Sequence, residues 1–261
     1  MRQSSSQIIK NILKNIAGNA GTLLILTLYC AFYIFISMNH MSIINVYKER
    51  MCLLDCYVLM MNSMPYMLMI VLPLIITFSY STRHDFIALH ITKYKCWRQL
   101  LKIQEMKILL YSVIYALIFM VLIAIITHLQ VRELFNWRTE QSLFYMKTNI
   151  TTNMKFSEIL LLFFLLCVIR NFIIQNLFLL SLWRKNNILY GIIAVFVILF
   201  IEMNGHKTGL LFRMFSLDYY IWNNYRLRIN MILGAIIYCL VISISFYYIT
   251  ANKELTDVKK I

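Results

Sequence analysis

ILLYSVIYALIFMVLIAIIT, Ile108 to Thr127, runs twenty residues without a charged side chain. A hydrocarbon layer ~30 Å thick takes about 20 residues of helix at ~1.5 Å each, so this stretch reads as a membrane span. Immediately before it lies its opposite, STRHDFIALHITKYKCWRQLLKIQEMK, Ser81 to Lys107, which is basic and contains Trp97. Working outward, five more apolar stretches appear: Gly21 to Met38, Cys56 to Ser79, Ile159 to Leu182, Ile188 to Ile201 and Ile229 to Thr250. Pro65 and Pro73 are expected to kink the second of the six spans, and the fifth is short for a crossing. The expected fold is an all-α polytopic membrane protein, one domain over 1–261 with six transmembrane helices.

Composition agrees. Of 261 residues, 61% are hydrophobic and 14% charged, where a soluble domain carries about a quarter charged. Six Gly and two Pro leave little room for long linkers. The formal charge of +14 would suggest nucleic acid in a soluble protein. Here Lys and Arg gather beside the apolar spans, where anionic headgroups meet them, and no nucleic-acid-reading motif is present. Nucleic acid is not an expected partner; membrane lipid is.

Residues 4–17 read as an amphipathic interfacial helix. Ser4 and Gln7 have capping-box spacing, and Ile8, Ile9, Ile12, Leu13 and Ile16 form one stripe opposite Lys10, Asn11, Lys14 and Asn15. The alternative is an extension of the first span. The N-terminus lacks the uninterrupted apolar core and cleavage site of a signal peptide, so the first span is expected to be retained. Six crossings put both termini on one side. With the ends and the connections 2–3 and 4–5 inside, that side holds 14 of the 25 Lys and Arg against 10 opposite, which favours cytoplasmic termini. In the outer region 203–228, GLLFRMFSLDYYIWNN (Gly209 to Asn224) is too apolar for a solvated loop. It is expected to re-enter the outer leaflet as one or two small helices, or to lie on the surface as an amphipathic one.

The six Cys are scattered, and Cys52 and Cys56 at helical spacing lack a nearby His, so all six read as structural. No phosphate-cradling loop, zinc-protease motif or cluster of carboxylates within a span is present. A membrane enzyme needs such groups gathered at one depth. No catalytic residue, metal ligand or cofactor site is therefore expected in this chain.

Two regions remain. In Lys95 to Lys107 the cations Lys95, Arg98 and Lys102 share one helical face and Trp97, Leu101 and Gln104 another; ahead of them stand Arg83, His84, Asp85, Phe86, His90 and Tyr94. This segment is either a solvated interfacial face or a docking element for a cytoplasmic partner. Arg170 lies ~18 Å from either end of the fourth span, with Asn171 and Gln175 beside it. An intramembrane Arg costs at least ~2.5 kcal/mol, so it should face protein or water. It either lines a pathway or subunit interface, or it meets a structural partner such as the carbonyls of a broken helix.

The order of these parts, with Y-x-x-x-x-x-F-I-x-L-x-I-x-K-Y-K-x-W from Tyr80 to Trp97 and LLSLWRKNNILYG from Leu179 to Gly191, resembles the type-2 ATP-binding-cassette exporter permeases. The likeness is to small permeases of Gram-positive bacteria that export lantibiotics or other toxic peptides. It implies two permease chains, identical or paralogous, in the bacterial cytoplasmic membrane, with separate ATPase subunits beneath. ATP and Mg would belong to those partners. Arg83, His84, Asp85, Phe86, Tyr94, Lys95, Trp97 and Arg98 would couple to the ATPase, and the interfacial helix would brace them. The cargo would be an amphipathic peptide or lipid-like molecule, exported for secretion or self-protection. Competing readings are a non-catalytic membrane sensor or immunity protein, and an intramembrane processing enzyme.

Overall fold

The computed structural model describes residues 20–40, 47–82, 97–128, 131, 133–204, 209–222 and 225–251. Among them there is no strand, only one isolated bridge where Leu53 N–H donates to Glu133 O at 3.0 Å. The helices are α1 (Ala20–His40), α2 (Leu53–Met60), α3 (Ser63–Tyr66), α4 (Leu72–Thr82), α5 (Trp97–His128), α6 (Leu143–Thr148), α7 (Phe156–Lys185), α8 (Leu189–Asn204) and α9 (Tyr225–Ala251). A π-helical turn, Met67–Val71, joins α3 to α4. Four stretches are long and apolar enough to cross a membrane: Ser63–Thr82, Trp97–His128, Phe156–Lys185 and Arg226–Thr250. Leu24–Ile36 and Leu189–Asn204 are apolar but shorter. These are the helices of a multi-pass membrane protein. The interfacial helix expected at 4–17 and residues 83–96 lie outside the described residues.

The apolar faces divide between protein and lipid. α7 is the hub, packed on α5, α8 and α9. Its Phe163 meets Tyr57 at 4.4 Å and Phe119 at 5.7 Å, and Phe119 in turn meets Tyr66 at 5.7 Å. By contrast α9 turns Ile232, Leu233, Ile236, Ile237, Leu240 and Val241 outward, as a bilayer-facing helix must.

The second apolar stretch is broken where its chemistry requires. Helix α2 ends at Met61, and the Asn62 side chain caps α3 by accepting from Ser63 N–H at 2.9 Å. Pro65 thereby falls in a first turn, where its missing N–H costs nothing. Pro73 cannot donate to Met69 O, four residues back. The π turn spans that gap, and α1 answers it: the Cys30 thiol donates to Met69 O at 3.1 Å and Tyr29 OH to Leu68 O at 2.9 Å.

Helices α7 and α8 form a tight hairpin. Asn186 takes the left-handed conformation (φ 53°) and donates its N–H to Leu182 O at 2.9 Å, a helix stop that Asn tolerates. One turn into α8, a Cβ on Gly191 would come within 2.8 Å of Leu177 O and Phe178 Cα. Only glycine lets the two backbones approach this closely.

Two expectations change. The basic helix before the third span is not a separate interfacial element. From Trp97 it runs on as one helix with that span to His128, because no Gly or Pro interrupts the sequence. The stretch 209–222 forms turns and one 3₁₀ turn, Tyr219–Trp222, rather than α-helix, because side chains satisfy its peptide groups in place of a helical ladder.

Candidate functional site

Arg170, Asn171 and Gln175 all sit on α7 and all are buried, at 0%, 0% and 1% exposure. Each is tied to a different part of the chain. Arg170 donates through Nη1 to Met61 O at 3.0 Å, and through Nη2 to Phe212 O at 2.6 Å and Phe215 O at 2.7 Å. Its guanidinium carbon lies 4.2 Å from the centre of the Tyr66 ring, a close cation–π contact. Asn171 Oδ1 accepts from Tyr66 OH at 2.6 Å. Gln175 Nε2 donates to Ser112 Oγ at 2.9 Å, and that hydroxyl donates onward to Ile108 O. The cation is thus spread over the carbonyls of one helix end (Met61) and of one turn (Phe212 to Phe215).

The same turn is gripped from its other side by a residue the sequence reading passed over. Glu202, at the end of α8, is fully buried. Its carboxylate accepts from Leu210 N–H at 2.6 Å, Leu211 N–H at 2.5 Å and Phe212 N–H at 3.0 Å, with Arg213 N–H at 3.3 Å. A carboxylate takes the donors of the turn and a guanidinium takes its acceptors. Buried irregular backbone must have its peptide groups satisfied by other groups, and here two opposite charges do so. Tyr238 OH of α9 adds a bond to Leu210 O at 2.8 Å. The arrangement can hold or release a loop. Among the described residues no three of His, Cys, Asp and Glu stand close enough to hold a metal.

A second buried carboxylate ties together connections far apart in the chain. Asp55, just ahead of the spanning stretch, accepts from Cys52 N–H at 2.7 Å and from the Trp137 indole N–H at 2.9 Å. Trp137 stacks on Phe144 at 4.6 Å and meets Tyr219 at 5.7 Å. Burial pushes the Asp55 carboxyl up to about 6, against the pull of its two N–H donors.

At the opposite end, Trp97 is buried edge-on against Trp183, the ring centres 5.6 Å apart. Trp183 in turn donates to Gln104 Oε1 at 2.7 Å. Leu101 and Gln104 share the buried face, while Arg98 and Lys102 are exposed, with the Arg98 guanidinium 5.4 Å from the Tyr247 ring centre. Arg83, His84, Asp85, Phe86, Tyr94 and Lys95 lie outside the described residues, as do Ile8, Ile9, Ile12, Leu13 and Ile16.

No protein-family model, curated protein or solved structure matches this chain.

A sequence signal for Glu202 existed. A Glu closing a short apolar helix, followed by a stretch too apolar to be solvated, can find its partners only in that stretch. Asp55, Tyr66, Ser112 and Trp137 carried no such signal, because their roles depend on residues 59 to 105 positions away in the chain.

Proposed function

We propose that this chain is a permease subunit of an ATP-binding-cassette exporter of the type-2 class. It would cross the bacterial cytoplasmic membrane six times with both termini inside, and pair with a second permease and with separate ATPase subunits. The cargo would be an amphipathic peptide or a lipid-like molecule. The observation that supports this best is mechanical. The start of α5, where the Ser81–Lys107 segment joins the bundle, is fastened to the last turn of α7 through Trp97, Trp183 and Gln104. A push on that segment would move α7, and α7 carries Arg170, which holds the outer turn some fifteen residues, or ~20 Å, away. An ATPase beneath the membrane would thereby reach the outer turn through one rigid helix. Opening requires a two-state element, and the turn between Arg170 and Glu202 is the candidate.

Purification of the tagged full chain together with the products of its neighbouring genes tests this. The expected result is a stable complex with an ATPase bearing Walker motifs, whose hydrolysis rises with peptide and falls on Asp85→Ala. An isolated chain that hydrolyses ATP, or one that retains no ATPase, would overturn the reading. Arg170→Leu separates the roles of that residue: normal export by a correctly assembled complex removes it from the transport cycle.

A further inference from the structure

A cavity of about 530 Å³ opens between the last turns of α7 and α9. This is the end of the bundle that carries the Ser81–Lys107 segment. Its apolar lining comes from Leu180 on α7 and Ile244 and Ile249 on α9. Trp183 forms one wall and is fixed there by its bond to Gln104. The rim is polar: Arg184 is exposed, the Tyr248 ring is 71% exposed, and among the described residues no acidic side chain lines the cavity. Lys185 follows Arg184 in the same exposed turn. Arg98, set against Tyr247, brings a further guanidinium to this end of α9.

The gradient fits one chemistry. Arg184 and Lys185 close the spanning stretch Phe156–Lys185, and Tyr248 nears the end of Arg226–Thr250, so the cations sit at headgroup depth, while Leu180 and Ile244, about one helical turn further in, sit among acyl chains. Volumes of ~300–1,000 Å³ with a mostly apolar lining and a few placed polar groups are those of specific small-ligand sites. A basic recess between transmembrane helices selects an anionic headgroup. Cationic cargo would be repelled there. We propose that this cavity binds one anionic phospholipid, its phosphate on Arg184 and an acyl chain along Leu180, Ile244 and Ile249. The lipid closes the gap between α7 and α9 and so stiffens the helix end against which the Ser81–Lys107 segment is fastened.

The test uses the purified full chain in mild detergent. It is titrated separately with dioleoyl phosphatidylglycerol, dioleoyl phosphatidylcholine and inorganic phosphate, and bound lipid is counted by native mass spectrometry. The expected result is one phosphatidylglycerol, retained at least about fivefold more tightly than phosphatidylcholine. That ratio is the ~1 kcal/mol a single cation contributes at an anionic lipid surface, at ~1.4 kcal/mol per decade. Inorganic phosphate alone should not bind. Arg184→Ala changes an exposed side chain, so it should fold normally and abolish the preference for phosphatidylglycerol. Ser245→Trp, which fills the cavity, should abolish retention of both lipids. Equal retention of the two lipids by the unaltered chain overturns the proposal. So does tight binding of free phosphate, a wild-type preference in Arg184→Ala, or absence of any retained lipid, which would mean that another part of the chain fills the space. Should Ser245→Trp fail to fold, the Arg184→Ala comparison decides alone.

Discussion

Replacing Glu202 with Gln should cost far more than its single-atom change suggests. The carboxylate presents only acceptors to the peptide N–H groups of Leu210, Leu211, Phe212 and Arg213. In Gln one of the two oxygens becomes a donor, so at least one of those N–H groups faces another. Hydrogen bonds to a charged group contribute ~1.5–3 kcal/mol each, against ~0.5–1.5 for neutral pairs. The change also removes the negative charge that faces Arg170 from the other side of the turn, a longer-range attraction. The expected destabilisation is therefore ~3–5 kcal/mol, on the order of 10 °C in thermal midpoint. Thermal unfolding of the full chain, followed by tryptophan fluorescence in one detergent, measures it. The decisive comparison adds Arg170→Met. If the two charges grip one turn, the double variant should be less destabilised than the sum of the singles by ~0.5–3 kcal/mol. A Glu202→Gln variant within ~0.5 kcal/mol of wild type, or strict additivity in the cycle, would refute the clamp.

Gly191→Leu should prevent α8 from seating on α7, because its Cβ alone would overlap Leu177 O and Phe178 Cα; loss of monodisperse protein on size exclusion is the readout, and Gly21→Leu, where a Cβ meets nothing, is the control. Since burial raises Asp55 from 3.8 to about 6, the folded chain binds the extra proton between those values, so stability falls by roughly 3 kcal/mol as pH rises from about 4 to about 6 and is flat above. Asp55→Asn should remove that slope in a pH series of thermal midpoints, and a slope unchanged in the variant would sink the assignment. Trp183→Phe keeps the ring contact with Trp97 but removes the indole donor from Gln104 Oε1, a bond of ~0.5–1.5 kcal/mol; in the assembled complex of the proposed exporter it should lower transport per ATP hydrolysed more than it lowers assembly, and an unchanged ratio counts against the mechanical link.

The sequence was most legible where one periodicity sufficed. The spans of α5, α7 and α9 follow from continuous apolar runs, and Arg98 and Lys102 do lie on a different face of α5 from Trp97, Leu101 and Gln104, the first exposed and the second buried. Asn186 and Gly191 within LLSLWRKNNILYG carry the hairpin in their own conformational demands. Boundaries were harder, because a helix that runs past its apolar stretch without Gly or Pro gives no stop signal, and the burial of Trp97 depends on Trp183 of another helix. The stretch 209–222 was recognisable as too apolar for water, but its lack of α-helix was not. That depended on Arg170 and Glu202 converging from two other helices, a three-body arrangement that no local pattern encodes. Arg170 announced itself by its solvation cost, and carbonyl partners were one of its two expected readings; which carbonyls was not legible.

The distribution of polar contacts along α7 bears on how such a chain could move. Its last turn is fastened to α5 through Trp183, its middle to α5 through Gln175 and to α3 through Asn171, and its centre to the outer turn through Arg170. The contacts to α5 and α3 join side chains of packed spans, where sliding would strand buried groups, so these helices should move as one body. The contacts from Arg170 differ. One ends on Met61 O at the close of α2 and two on carbonyls of a turn outside any helix, and a guanidinium can exchange one carbonyl for another, or for water, with far less rearrangement than a packed ring. If any joint in this bundle yields, it should be the one between α7 and residues 210–215, with the rest carried along rigidly. Crosslinking a cysteine at 213 to one on α8 in a Cys-free background should then block transport while leaving nucleotide hydrolysis intact, whereas a crosslink between α5 and α7 should leave both unchanged. Transport that survives the first crosslink would place the moving joint elsewhere.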